Sequence, residues 1–459
     1  MTGVLESHVR ETDAFTLSME RDPLLRSTIV AVALFDKPPD WEVLVARIDR
    51  ATRLTPTFRQ RLEPTPLGLA PPRWVTDPDF DLAFHVRRIE APTPKTFDTV
   101  LDVARNAGMA AFDPARPLWE FTLIEGLTGD RAALVMKVHH SLTDGIGGVS
   151  LAAHVADLTR KPGKLERVPD APQLDGHGPF EPLVDAVSHD LRQLVRAVTG
   201  LVRSTPAAVI DAVRDPVHAV TGLAATTMSV ARFVRPVTTT SSPVMRGRRL
   251  QWHYDTLDVP FADLKAAGAA VGGTLNDAFV AAIAGGFRRY HELHEAPVDQ
   301  LRITMPISIR GDDEGVGGNR VTLARFGVPV GVASAADRVA RIGALCRDAR
   351  REPAIAYSNL IAGVFNLLPV AVTGGMLKHV DLLASNVPGF PSEIFVGGAR
   401  MDAFYPFGPT LGSAANITLM SYAGTCHIGI NTDVGAVPDA DELTRCLREG
   451  FDEVLALAG

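Results

Sequence analysis

Hydrophobic and polar positions follow two different periods along this chain, and the switches between them mark its elements. Thr28-Ile29-Val30-Ala31-Val32-Ala33-Leu34-Phe35 is an apolar run of strand length. Trp41 to Leu54 changes to helical spacing, with Val43, Leu44, Ile48 and Ala51 roughly on one face. Phe80 to Val86 alternates as a half-buried strand does. Phe97 to Ala111 predicts a helix, ended by Phe112-Asp113-Pro114. Leu118–Glu125 and Ala132–His139 predict two strands paired across a Gly126–Gly129 turn.

The character changes from Lys161 to about Arg249. Pro162, Gly163, Pro169, Pro172, Gly176, Gly178 and Pro179 mark a linker. Helical segments follow, roughly Glu181–Val202 and Ala207–Val230, then a polar loop from Thr238 to Pro243. Alternating elements resume with a strand over Leu250–Leu257 and a helix over Phe261–Ala270. Thr274 starts another helix as N-cap, and Asp277 three residues on completes a capping-box pattern. Leu301–Ile309, Val321–Val330, Ala414–Tyr422 and His427–Thr432 read as strands, and Asp439–Ala456 as a closing helix. The order implies an α/β (α+β) chain of two lobes, residues 1–160 and 250–459, joined by a linker and helical crossover over 161–249.

A length of 459 residues suits two or three domains, and 46% hydrophobic with 22% charged residues is ordinary for a globular chain. The net charge of −7 argues against a nucleic-acid partner, although Arg246-Gly247-Arg248-Arg249 leaves a local basic patch. Cys346, Cys426 and Cys446 match neither a metal spacing nor a disulfide framework, which points to a reducing compartment. Glu6, Arg10, Glu11 and Asp13 near the N-terminus are unlike a signal peptide, so the expectation is a cytoplasmic protein. Pro353 to Leu377 carries no charge and is long enough to span a bilayer. Asn359, Asn366, Pro369, Gly374 and Gly375 interrupt it, so two buried helices meeting near Pro369 are expected instead. That stretch and Pro216–Ala231 are apolar enough to lie on a membrane or lipid-droplet surface, which would suit a lipid substrate.

The candidate chemistry sits in His139-His140-Ser141-Leu142-Thr143-Asp144-Gly145, where a strand ends and a tight turn leads into a helix. Neighbouring residues of a strand point to opposite faces, so the two histidines do not readily share one metal ion, and no third ligand stands out. One histidine can face a cavity as general base while the other packs. Asp144 can bind backbone N–H groups or an arginine, and Gly145, Gly147 and Gly148 allow a tight turn or a close ligand. On spacing alone, a plain strand-end turn is an equal reading. Gly-x-Ser-x-Gly and GxGxxG patterns are missing, which disfavours a serine hydrolase and a dinucleotide site.

These seven residues resemble the HHxxxDG signature of the CoA-dependent acyltransferase superfamily. Three further segments resemble motifs of its bacterial wax ester synthase/diacylglycerol acyltransferase family: Pro117-Leu118-Trp119, Asn276-Asp277 and Ser385-Asn386-Val387-Pro388-Gly389. Order and approximate spacing agree from about Thr12 to Leu457. The resemblance implies two chloramphenicol-acetyltransferase-like lobes around a central tunnel. It implies acyl-CoA and a lipid alcohol, either diacylglycerol or a long-chain alcohol, as substrates, with direct transfer and neither metal nor cofactor. His140 would be the base, since imidazole titrates near pH ~6.5 and is available unprotonated at neutral pH. Asp144 would organise the loop, through an arginine such as Arg310.

Asn276 is a candidate for the active-site wall, and Ser385 or Asn386 for donating to the tetrahedral oxyanion. Gly145 would let substrate approach. Bland roles compete: Pro117, Leu118 and Trp119 can simply begin a strand, and Asp277 can simply cap its helix. Two segments depart from the family pattern, Leu25–Val30 in the first strand region and Ser241–Gly247 before the second lobe. They leave the base intact and put acceptor choice in doubt. A condensation-type or polyketide-associated transferase using a carrier-protein thioester is the competing enzyme, and a non-catalytic lipid-binding protein the competing class.

Overall fold

A computed structural model describes residues 9–65, 71–142, 145–164, 167–171, 239–308, 321–350, 374 and 378–459. The expected crossover helices and nearly all of the uncharged 353–377 stretch lie outside these residues, as do Asp144 and Arg310. A short helix α1 (Glu11–Met19) leads into β1 (Thr28–Phe35) and α2 (Trp41–Leu54). A hairpin of β2 (Gln60–Glu63) and β3 (Arg73–Thr76) follows, then α3 (Leu82–His85), β4 (Val86–Glu90) and α4 (Phe97–Met109). The hairpin β5 (Trp119–Leu127) and β6 (Arg131–His139) then precedes α5 (Gly145–Val155). β1 and α2 fall where their periodicity places them. α2 is started by Asp40, whose carboxylate accepts the Val43 N–H at 3.0 Å, and it buries Leu44, Ile48 and Ala51.

Phe80–Val86 is not the strand its alternation suggests. Asp81 accepts the Ala83 N–H at 2.9 Å and caps the one-turn helix α3 instead. Extended pairing begins only at Val86, which lies parallel to Phe121 of β5. Burial of His85 between Phe80 and Trp119, both stacked on its ring, outweighs the local pattern. The 5–6 hairpin turn is tighter than expected, with Gly129 and Asp130 both at positive φ.

The second half supplies β7 (Trp252–Pro260), α6 (Phe261–Ala270), α7 (Leu275–Leu293), β8 (Gln300–Ser308), β9 (Val321–Pro329) and α8 (Ala335–Arg350). It continues with β10 (Leu382–Val387), β11 (Phe395–Val396), β12 (Ala399–Phe407), β13 (Ala415–Tyr422), β14 (Thr425–Asp433) and α9 (Ala440–Leu455). α7 is the spine of this half. Its capping box is complete, with Thr274 and Asp277 exchanging side-chain and backbone bonds, and its apolar face packs on α9 and the sheet. Among the described residues no single helix is long and apolar enough to cross a membrane. The pair α6 and α7 has the length and composition only when taken together, and it is bent by 92°.

Two six-stranded sheets result, in the orders β11-β12-β1-β6-β5-β4 and β7-β14-β13-β10-β8-β9. Sheet membership does not follow a division of the sequence at residue 250, because β11 and β12 join the first sheet. β12 runs antiparallel to β1, pairing Ala33 with Phe404 and Ala31 with Pro406. The hydrophobic pattern marks a residue as buried without saying in which sheet it is buried.

The lobes meet along this transferred strand. Tyr254 of β7 stacks on Phe407 of β12 with ring centres 4.2 Å apart. Tyr405 of β12 donates to Asp258 of β7 at 2.9 Å, and Asp258 also meets His427 of β14 at 2.7 Å. Gly429 of β14 sits against the backbone of β12, where an added Cβ would stand 1.9 Å from the Pro406 carbonyl oxygen. Gly429→Ala therefore forces the lobes apart. It is expected to cost about 1–3 kcal/mol, the range for overpacking, and to lower the thermal midpoint of the whole chain. An unchanged midpoint would show that the lobes do not depend on this contact.

Candidate active site

The alternation of β6 is the organising fact of the site. Leu134, Met136, Val138 and His140 share one face and line a cavity of about 210 Å³. Its walls come from both lobes: β1 and α5 on one side, Ser385 of β10 with Asn416, Thr418 and Met420 of β13 on the other. His140 is fixed by its backbone, whose N–H donates to the Ser27 carbonyl at 2.9 Å.

His139 points the other way and is 1% exposed. Its Nδ1 accepts the backbone N–H of Ser141 at 3.1 Å and lies 2.7 Å from the Ser141 hydroxyl. Nδ1 is therefore the acceptor, which places the proton on Nε2. Nε2 donates to Glu20 Oε1 at 3.2 Å. Both ring nitrogens are spent, and His139 holds the turn. Glu20 accepts the Ser27 N–H at 2.6 Å through the same oxygen. One carboxylate thus ties the start of β1 to the end of β6, at the two residues that frame His140. Burial pushes the Glu20 carboxyl up, but the His139 and Ser27 bonds and the nearby Arg26 charge outweigh it, so it stays below its ordinary value.

On the opposite wall Ser385 lies in register with Thr418 across the parallel β10–β13 pair. Thr418 donates its hydroxyl to Asn416 Oδ1 at 2.8 Å, and Asn416 donates its amide to the Pro409 carbonyl at 2.7 Å. Those donors are occupied. The Ser385 hydroxyl has no such bond among the described residues and faces the cavity. At the end of the same segment, Gly389 passes the Ser421 carbonyl oxygen, which a Cβ would meet at 2.1 Å.

The other expected residues that are described fall outside this cavity's lining. Asn386, one step along β10, is not in its lining. Asn276 is not among the described lining residues either: it sits at the start of α7 with its amide 3.8 Å from Cys346 Sγ. Asp277 is 3% exposed and spends its carboxylate on Thr274. Leu118 is buried, and Trp119 is a core anchor, fully buried, with its indole N–H donating to Phe58 at 2.8 Å. Gly145 begins α5, and Gly148 reaches the cavity.

Sequence reasoning missed Glu20, which lies 119 residues from His139 in a segment without periodicity. It also missed Asn416 and Thr418. Two polar residues spaced by two on a mostly apolar strand were the available signal.

Paired lobes that set one half-buried histidine in the wall of an apolar cavity, opposite a hydroxyl from the second lobe, define an acyltransferase-like architecture. A model of the wax ester synthase/diacylglycerol acyltransferase catalytic domain matches residues 9–279, and one of the WS/DGAT C-terminal domain matches residues 317–454. The chain belongs to the wax ester synthase/diacylglycerol acyltransferase family. It is 36% identical over 443 residues to a putative diacylglycerol O-acyltransferase of Mycobacterium tuberculosis strain H37Rv, covering 96% of this chain and 90% of that one. A probable diacylglycerol O-acyltransferase of the same strain is 28% identical over 470 residues, covering 98% and 96%. Among solved structures, a wax ester synthase/diacylglycerol acyltransferase from Marinobacter aquaeolei VT8 superposes with a TM-score of 0.67 at 22% identity, over 99% of this chain and 100% of that one. The first condensation domain of the CDA synthetase gives 0.61 at 15% identity, over 100% and 97%, and shares the fold.

The Glu20 clamp has a pH signature. A carboxyl held below its unfolded value adds stability at neutral pH, and that contribution is lost as pH falls through the folded value. Thermal midpoints followed from neutral pH down through the carboxylate range should therefore fall less steeply in Glu20→Gln than in the parent chain. Parallel curves would mean that Glu20 carries no linked proton.

Proposed function

We propose that the protein transfers a long-chain acyl group from acyl-CoA to the hydroxyl of a lipid alcohol, diacylglycerol or a long-chain alcohol. The observation that carries this reading is His140 placed in the wall of an apolar cavity shared by both lobes, inside a chain of this family. His140 accepts the proton of the acceptor O–H. The oxygen attacks the thioester carbonyl, the new C–O bond forms, and the C–S bond breaks. The thiolate leaves as CoA and recovers a proton. Atoms balance with no covalent enzyme intermediate, and the step calls for no metal and no cofactor.

Ser385 is proposed to donate to the oxygen that gains charge in the tetrahedral intermediate; its place in the cavity lining, without a hydroxyl partner among the described residues, supports this. The cavity wall is almost wholly apolar around these two groups, which suits alkyl chains and weakens competition from water. His139 and Glu20 set the position of His140 without touching substrate. Asp144 keeps its proposed role as organiser of the loop that links β6 to α5, with Arg310 as its proposed partner.

Hexadecanoyl-CoA with either dioleoylglycerol or hexadecanol should release free CoA and form the matching ester. His140→Ala should lower the rate by about 10²–10⁴-fold, the usual contribution of a positioned base, with circular dichroism unchanged. Full activity in a folded His140→Ala variant would overturn the mechanism. Turnover only with a carrier-protein thioester would replace the proposed donor.

A further inference from the structure

The cavity is longer than the chemistry at His140 requires, and its long arm runs inside the first lobe. The floor of that arm is β1, whose Ile29, Ala31, Ala33 and Phe35 all face it. Across the sheet, Ala31 lies between Pro406 of β12 and Met136 of β6, and Ala33 lies between Phe404 and Leu134. In both rows an alanine is flanked by larger residues, so β1 forms a trough with raised sides. Helices α2 and α5 roof it through Ile48, Val149 and Ala152.

Larger side chains narrow the trough at one end. Phe35 replaces alanine in the next row, paired with Met401, and both side chains are buried, at 0% and 3% exposure. Its open end is His140, which is level with Ser27 through their backbone bond. At about 3.3 Å per strand residue, Ala31 lies about 13 Å beyond that level and Ala33 about 20 Å beyond it. Among the described residues no charged side chain lines the arm.

We propose that this trough holds the acyl chain of the thioester donor in extended form, and that Ala33 with Phe35 sets the longest chain accepted. The inference rests on the acyl-transfer reading and adds to it the residues that measure the substrate. An arm one strand row wide and narrowed by Phe35 fits one unbranched chain ending in a methyl group. It does not fit a glycerolipid carrying two chains. The donor's chain is the one common to both acceptor types, so the arm is assigned to it. An octanoyl chain ends short of Ala31, whereas a hexadecanoyl chain extends to Ala33.

The test measures kcat/KM for octanoyl-CoA and hexadecanoyl-CoA with one fixed acceptor, in the parent chain and in Ala33→Phe. The ratio of hexadecanoyl to octanoyl should fall about tenfold or more, since several methylenes lose their place in an apolar pocket. Ala33→Leu supplies a milder filling if the phenylalanine variant does not fold. Phe35→Leu opens the end and should raise the ratio of eicosanoyl to hexadecanoyl. Unchanged ratios in folded variants would overturn the assignment, as would a shift that follows acceptor length at constant donor. Equilibrium binding of the two thioesters to His140→Ala and to His140→Ala with Ala33→Phe reads the arm without turnover. If the parent chain released no CoA while binding still changed with Ala33, the acyl-transfer reading would fail and the trough would stand.

Discussion

Everything about the site depends on one backbone hydrogen bond, from His140 N–H to the Ser27 carbonyl. It fixes the register of β6 against β1, and in a strand register decides which face each side chain takes. A slip of one residue would turn His140 into the core and present His139 to the cavity. Glu20 guards this register by holding Ser27, just before β1, and His139 at the end of β6 with a single carboxylate oxygen. The two adjacent histidines therefore do different work for a geometric reason. One has both nitrogens engaged in structure, and the other is directed at the cavity.

The second constraint is the transfer of β11 and β12 to the first sheet. A cavity between two independent lobes would open whenever they moved. Here a strand encoded after the second lobe has begun is hydrogen-bonded into the first, and it carries Phe404 and Pro406 as cavity wall. The stack of Tyr254 on Phe407 and the bonds of Asp258 to Tyr405 and His427 then lock that strand to the second sheet. Ser385 and His140, from different lobes, consequently face a common space. The stability of the lobe junction and the geometry of the site are thus a single property of β12.

Much of this was legible from local pattern. β1 and α2 declared themselves by period, the Thr274–Asp277 capping box by spacing, and the opposite directions of His139 and His140 by strand alternation. Long-range features were not. Alternation over Phe80–Val86 was real, but the aromatic stack on His85 and the Asp81 cap made it a helical turn. Asn276 carries the motif but is not in the described cavity lining, because a motif shared along a family does not say which side of a helix start meets the cavity. Glu20 gave no local sign at all, since its meaning arises only when α1 is folded against the end of β6.

In the proposed mechanism His140 removes a proton and never carries the acyl group. Rapid quenching of the protein with hexadecanoyl-CoA, in the absence of any acceptor, tests it most directly. Direct transfer predicts no burst of CoA and no acyl adduct in the intact mass of the protein. A burst approaching one CoA per chain, with a matching hexadecanoyl adduct, would contradict it.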